Sequence, residues 1–331
     1  MNKISVCHFP FQPHCFAYGG FDIQMNRVID LLIETDIKTT RIDFWDRNSR
    51  FNVAHFWGAT ESHTPVMHFC KERNIKVVLS VLFPPVSTFS STKQFVKSRV
   101  FKLMNIDRSY RLADRIIVIN DEQALFANKS LGISKKKIDV IPTMLDDIFF
   151  DTINLSVKCP TGFRQFGLIV GTICERKNQL ALMHSAIQLN YPIVFVGRID
   201  LNNSDYTKSF VKLLNENVHL FQHFEALPSD ELLALYQSST VIACISHQET
   251  EPASILEGML FNKPIIAANR PFAKNRIFAG IILVDPADIN SITRGLENAL
   301  RKEVVYYSSF NSKNHYSGDI IGSYVNLYKK L

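Results

Sequence analysis

Short runs rich in isoleucine and valine alternate with longer stretches of helical period. The alternation runs through the chain twice, on either side of an irregular segment at 145–162. It is the mark of parallel strands: a parallel partner cannot be reached by a tight turn, so a crossover helix intervenes and covers the sheet. In the first half, strands are predicted at Ile4–Phe9, Thr39–Phe44, Val53–Trp57, Lys76–Val81, Arg115–Ile119 and Ile138–Ile141, with helices over Phe21–Glu34, Thr64–Arg73, Lys93–Ala113 and Glu122–Leu131. In the second half, strands are predicted at Gly167–Val170, Ile193–Val196, His219–Phe221, Thr240–Ile245, Pro264–Ala268 and Ile281–Val284. Helices are predicted over Lys177–Leu189, Asp205–Asn215, Ser229–Gln237, Pro252–Phe261 and Ile289–Arg301. The expectation is an α/β protein of two Rossmann-like, doubly wound domains, 1–150 and 160–305. A C-terminal helix within 306–331 is expected to pack back on the first domain, with Ile321, Val325 and Leu327/Tyr328 at helical spacing. No sequence repeat relates the two halves.

Several classes are set aside by composition. No window approaches about 18 uninterrupted apolar residues, so no membrane-spanning helix is expected. The start, MNKISVCHF, reads as a strand entry rather than a signal peptide. Six cysteines are scattered without a C-x-x-C pair, which suits reduced core residues in a cytoplasmic protein. The net charge of +6 favours anionic partners, but no base-reading motif accompanies it, so nucleic acid is not expected. Residues 92–115 hold seven basic side chains against two acidic ones, interleaved with Phe95, Val96, Val100, Phe101, Leu103 and Met104. A basic amphipathic helix can rest on anionic lipid at about 1 kcal/mol per cation. That would make the protein peripheral on the inner face of the cell membrane. A packed helix with a solvated charged face explains the pattern equally well.

The chemistry concentrates in TVIACISHQETEPASILEGMLFNKPIIAA, residues 240–268. An apolar strand ends in a loop carrying Glu249, Thr250 and Glu251. A helix then opens at Pro252, carries Glu257 on its second turn, and stops at Asn262-Lys263-Pro264. Two carboxylates with seven residues between them thus flank one helix N-terminus at the carboxyl end of a strand, where open α/β sheets hold ligands. The N–H groups of Ala253 and Ser254 suit a phosphate, and the carboxylates suit sugar hydroxyls. The reading is a site for a nucleotide-linked sugar. The plainer alternative makes Glu251 a dipole cap, Glu257 a solvated helix residue and Glu249 a loop charge.

Two further segments could share that ligand. Gly171-Thr172 through Arg176-Lys177 follow the strand GLIV, and adjacent Arg and Lys at such a junction can neutralise a diphosphate. The spacing is not that of a P-loop. Gly19-Gly20 precede the first helix and permit close backbone approach. No G-x-G-x-x-G follows the first strand, which argues against an NAD enzyme. No Asp-x-Asp or His cluster is present to bind a metal.

In this order, YGGFDIQMNRVIDLL, ADRIIVINDEQ, KIDVIPTMLDDIF, GTICERKNQLAL, HFEALPSDELLALYQSSTVIACIS and ETEPASILEGMLFNKPIIAA resemble the retaining glycosyltransferases of family 4. That family has the GT-B fold, two Rossmann-like domains facing across a cleft. By this resemblance Glu249 and Glu257 match the family's E-x7-E pair, the first binding donor-sugar hydroxyls and the second the nucleotide ribose. Lys177 matches the diphosphate lysine, with Arg176 as its helper. Ala253 and Ser254 would hold the distal phosphate, and the base would rest near His223–Phe224. Gly19 and Gly20 match the loop that approaches the donor phosphates. The chain departs from the pattern at Thr172, where many members carry Arg, and at VVLSVLF (77–83), which lacks the family's first-domain histidine. Asn262 replaces a glycine helix stop.

The resemblance implies transfer of a hexose-type sugar from a nucleoside diphosphate to a glycan or lipid-linked acceptor in cell-surface polysaccharide biosynthesis. The implied reaction needs no metal and no cofactor beyond the donor, and it retains configuration. Two alternatives remain at this stage: a nucleotide-sugar epimerase of similar build, and a non-catalytic subunit that binds the nucleotide-sugar.

Overall fold

A computed structural model describes residues 3–15, 19–83, 106–150, 158–200, 204–302 and 304–331. The chain forms two compact units. One comprises Met1–Met144 with Lys313–Leu331, the other Leu145–Ser312.

In the first unit the described elements run β1 (Ser5–Phe9), α1 (Gly20–Leu32), β2 (Lys38–Arg41), β3 (Val53–Trp57), α2 (His63–Glu72), β4 (Lys76–Ser80), α3 (Ile106–Leu112), β5 (Arg115–Val118), α4 (Asp121–Lys129) and β6 (Ile138–Val140). The strands form one parallel sheet in the order β2-β1-β3-β4-β5-β6. Alternate residues of each strand serve opposite faces, as the pleat requires. Val6, Val53, Trp57, Val78 and Ile117 join α1 on one face. Cys7, Ala54, Phe56, Leu79 and Ile116 meet Met67 and Cys70 of α2 on the other. Asn120 caps α4 by accepting from the Gln123 N–H at 3.0 Å.

The second unit continues with β7 (Gly167–Val170), α5 (Gln179–Leu189), β8 (Ile193–Val196), α6 (Ser204–Glu216), β9 (Phe221–Phe224), α7 (Ser229–Ser238), β10 (Val241–Cys244), α8 (Ala253–Leu260), β11 (Ile265–Ala268), β12 (Ile282–Val284) and α9 (Ile289–Leu300). Its parallel sheet has the order β12-β11-β10-β7-β8-β9. Successive strands are therefore added outward in one direction from β7 and then in the other from β10. The boundary β7/β10 is the topological switch point of this doubly wound sheet.

The last helix, α10 (Ser317–Lys329), returns to the first unit. Ile320, Ile321, Tyr324, Leu327 and Tyr328 pack with α1 residues Met25, Val28 and Ile29. Polar contacts also fix it: the Tyr328 hydroxyl lies 2.7 Å from Nδ1 of buried His55, whose Nε2 lies 2.8 Å from Ser80 Oγ.

Some boundaries differ from the sequence reading. Residues 145–150, read with the first domain, belong to the second, because Leu145 and Phe149 are buried in its core. Residues 306–312 also stay there, where the Tyr307 hydroxyl donates to the Lys263 carbonyl at 2.7 Å. The strand expected at His219–Phe221 begins two residues later, since a turn with Leu220 and Phe221 N–H bonded to the Asn217 carbonyl occupies its start. Most of the basic stretch 92–115, and most of the helix predicted over Lys93–Ala113, lie outside the described residues; the described part of that helix is α3. At its described end, Arg115 is a strand residue paired with Asp139, and Asp114 pairs with Lys71 at 2.7 Å. Among the described residues, no helix is long and apolar enough to cross a membrane.

Candidate functional site at the switch point of the second sheet

Two loops leave the carboxyl ends of β7 and β10, and the chain makes them converge. Gly171, just past β7, has φ 145°, a conformation that glycine adopts without strain. Gly197, past β8, has φ 148°, and a Cβ there would stand 2.3 Å from the Gly171 carbonyl oxygen. The backbones of the β7 and β8 loops are thus in direct apposition, tied by Gly171 N–H to the Val196 carbonyl at 2.8 Å and Ile173 N–H to the Arg198 carbonyl at 2.8 Å. A 3₁₀ turn over Glu175–Lys177 follows, and Asn178 with φ 58° separates it from α5. Lys177 therefore precedes the helix in which the sequence reading placed it. The left-handed residue is held by its side chain, which donates to the Pro286 carbonyl at 2.9 Å.

That turn carries Lys177 back over Gly171, where a side chain would stand 3.2 Å from the ammonium nitrogen. Lys177 Nζ reaches Glu249 Oε1 at 2.6 Å, and Arg176 Nη1 reaches the same oxygen at 2.9 Å. Arg176 also donates to the Gln248 carbonyl at 2.7 Å, and its own carbonyl accepts the His247 N–H at 2.8 Å. The β7 and β10 loops are thereby joined through both main chain and side chains. Burial works against the Glu249 charge, but Lys177, then Arg176, and a hydrogen bond from buried Ser246 outweigh it. The carboxyl is held below its ordinary range. Farther in, burial first and the Glu249 charge second push the Cys244 thiol up to about 11, so it stays protonated.

Glu257 lies on α8 and is buried, as is Ser254. Its carboxylate accepts a hydrogen bond from the hydroxyl of Tyr236, a fully enclosed residue of α7. The helix begins at Ala253 with Pro252 as its N-cap, one residue later than expected. A cap proline is compatible because it has no N–H to satisfy. As in any α-helix, the first-turn N–H groups, those of Ala253 and Ser254 included, have no carbonyl within the helix to bond. Thr250 and Glu251 are half-buried in the loop before it. Asn262 ends the segment with φ 52°, the left-handed stop its residue type allows.

The other predicted residues fall as follows. His223 and Phe224 end β9; His223 Nε2 lies 2.8 Å from the Gly197 carbonyl, and its ring meets Phe210 edge-on. Thr172 is half-buried, and its carbonyl accepts from Gln179 at 2.9 Å. Gly19 and Gly20 open α1 in the first unit, where a Cβ on either would meet nothing within 4 Å. The ion pairs unite Arg176, Lys177 and Glu249, whereas Glu257 is tied to Tyr236. The sequence reading missed Tyr236, Ser246 and Gly197. Only Gly197, a glycine directly after a buried strand, carried a signal. Among the described residues no group of three His, Cys, Asp or Glu side chains is placed to hold a metal ion.

Residues 164–315 match the family model described as glycosyl transferases group 1. Over essentially the whole chain the fold is similar to that of a glycosyltransferase from Rickettsia africae ESF-5, at 17% identity and a TM-score of 0.68, covering 100% of this chain and 99% of that one. Anabaena Alr3699/HepE in complex with UDP and glucose is similar at 15% identity and a TM-score of 0.71, covering 99% and 100%. WaaG, a glycosyltransferase involved in lipopolysaccharide biosynthesis, is similar at 11% identity and a TM-score of 0.57, covering 99% and 95%. No curated protein sequence matches the chain. With two doubly wound parallel sheets and fold likeness along its length, the chain has the GT-B fold, and its residues 164–315, in the unit that holds the ion-paired loops, are similar to the glycosyl transferases group 1 family.

Proposed function

We propose that the protein transfers a hexose from a UDP-sugar to a hydroxyl of a glycan or lipid-linked acceptor in cell-surface polysaccharide assembly, with retention at the anomeric carbon. The observation that carries this reading is the Lys177–Glu249–Arg176 cluster at the switch point of the second sheet. A carboxylate held ionised beside two cations supplies both kinds of contact that a sugar diphosphate needs. The choice of uridine draws on the relative from Anabaena, whose structures contain UDP, UDP with glucose, and UDP-glucose.

In this reaction the bond between the anomeric carbon and the diphosphate oxygen breaks, and negative charge grows on the departing UDP. Lys177 and Arg176 stabilise that charge as groups already in place, with the α8 N-terminus at Ala253 and Ser254 completing the cradle. Glu249 accepts from hydroxyls of the donor sugar, while Glu257 accepts from the ribose and the base lies along His223–Phe224. Gly19 and Gly20 leave the start of α1 open to a ligand oxygen. The acceptor oxygen attacks the face that the diphosphate leaves, and its proton passes to the departing phosphate oxygen. UDP and a new glycoside result.

The test is a thermal-shift comparison of UDP, ADP and GDP, followed by transfer assays with UDP-glucose. A ligand at about 100 times its dissociation constant adds about 2.7 kcal/mol of stability, so UDP should raise the melting temperature. Lys177→Ala should abolish that shift and lower turnover by about 10²–10³-fold, the scale of losing one preorganised stabiliser of a leaving charge. Full turnover in Lys177→Ala would refute the assignment. Conversion of UDP-glucose to an isomeric UDP-sugar without any acceptor, and without release of UDP, would replace transfer by epimerisation.

A further inference from the structure

Tyr236 is an odd neighbour for a ligand-binding acid. Its ring is completely enclosed, stacked on Phe261 at 5.9 Å between centroids and met edge-on by Phe149 at 5.7 Å. Its hydroxyl is therefore fixed in space, and it donates to Glu257. The other side of the contact is equally immobile. At Gly258, the residue after Glu257, a Cβ would approach Ile242 Cγ1 to 2.9 Å, so α8 lies close against β10. A carboxylate placed among apolar residues is costly unless hydrogen-bonded. An apolar side chain at 257 would fill the same core at no such cost. The arrangement makes sense if the acid has work to do in a fixed orientation.

We propose that Tyr236 is a positioning residue for nucleotide recognition: its hydroxyl sets the orientation in which the Glu257 carboxylate meets the ribose diol of the donor. The proposal rests on the donor reading given above. Burial first and the Glu257 charge second hold the phenol far above its ordinary pKa, so at neutral pH its hydroxyl keeps the proton that it donates to Glu257. The carboxylate, fixed by one strong charge-assisted bond, presents acceptor oxygens without first losing rotamer freedom. Preorganisation of this kind raises affinity without adding a contact to the ligand.

Calorimetric titration of wild type and Tyr236→Phe with UDP, 2′-deoxy-UDP and 3′-deoxy-UDP tests it. The wild type should bind UDP more tightly than at least one deoxy analogue. Tyr236→Phe should weaken UDP about tenfold, the scale of one charge-assisted hydrogen bond, and bring it level with that analogue. Should Tyr236→Phe fail to fold with an unsatisfied acid, Glu257→Ala alone is compared with Tyr236→Phe/Glu257→Ala, in which no acid remains. Equal UDP dissociation constants in that pair support the proposal, and a further loss in the double variant overturns it. Equal weakening of UDP and both analogues by Tyr236→Phe also overturns it, as would a wild type indifferent to both ribose hydroxyls. Absence of UDP binding in the wild type would instead overturn the donor reading, and this proposal with it.

Discussion

Acid should destabilise the first unit through a histidine that the fold keeps neutral. His8 is fully buried in β1, and its Nδ1 lies 3.1 Å from the Trp57 indole nitrogen. An indole N–H only donates, so Nδ1 must be the unprotonated ring nitrogen and the proton sits on Nε2, a buried atom without a partner among the described residues. A second proton would set N–H against N–H and enclose an unpaired charge. Burial first, and the Arg41 charge second, accordingly lower the His8 pKa from 6.5 to about 3. His55, 5.2 Å away between ring centroids, is lowered well below 6.5 by burial and then by His8.

The sign follows from linkage. Between the folded and unfolded pKa values the unfolded chain binds more protons, so the stabilisation is complete above about 6.5 and is lost as pH falls below it. At pH 5, about 1.5 units below the unfolded value and still above the folded one, His8 alone removes about 2 kcal/mol. His55 acts in the same direction. Both tryptophans, Trp45 and Trp57, lie in this unit, so urea unfolding followed by tryptophan fluorescence reports it selectively. The unfolding free energy should fall by about 2 kcal/mol or more between pH 7 and pH 5. His8→Gln can still accept from Trp57 but does not titrate, and should remove about 2 kcal/mol of that dependence. Equal stability at both pH values, or an unaltered pH dependence in His8→Gln, would refute the neutral, enclosed imidazole.

Two further outcomes test the scaffold. Gly197→Ala places a Cβ against the Gly171 carbonyl and forces φ 148° on an L side chain. It should cost about 1–3 kcal/mol in the second unit and weaken UDP binding, both measurable by thermal shift; wild-type values would disprove the apposition of the two loops. Tyr328→Phe leaves His55 Nδ1 without its hydroxyl partner and should lower the stability of the first unit by about 1–3 kcal/mol. The fluorescence-detected urea midpoint reads this, and no change would mean that the hydroxyl does not hold α10.

Elements whose cause is local were legible in the sequence. Gly167–Val170 and Ile193–Val196 are strands over those residues because buried parallel strands are apolar on both faces. The segment around Glu249 and Glu257 was legible because a strand end, a proline and an asparagine stop are all written within a few residues. What failed depends on distant partners. Lys177 was read into a helix because nothing nearby announces the left-handed Asn178, whose side chain is held by Pro286. Residues 145–150 were assigned to the first domain because only tertiary packing shows Phe149 against Tyr236. Tyr236 itself carries no local mark, since its acceptor lies on the next helix. His8, His55 and Ser80 sit on three neighbouring strands, and no periodicity marks them as a group.

The return of α10 has a consequence for biosynthesis. His55 and Tyr328 are separated by 273 positions, and the whole second unit is translated between the sheet strands of the first and their last covering helix. At about 5–20 residues per second, that interval is roughly ten to thirty seconds. Throughout it the β1–β3–β4 face lacks part of its cover, and by its end the second unit has every strand it needs. The later-encoded unit can therefore mature ahead of the earlier one. The half-covered sheet is the form of the nascent chain most in need of a chaperone.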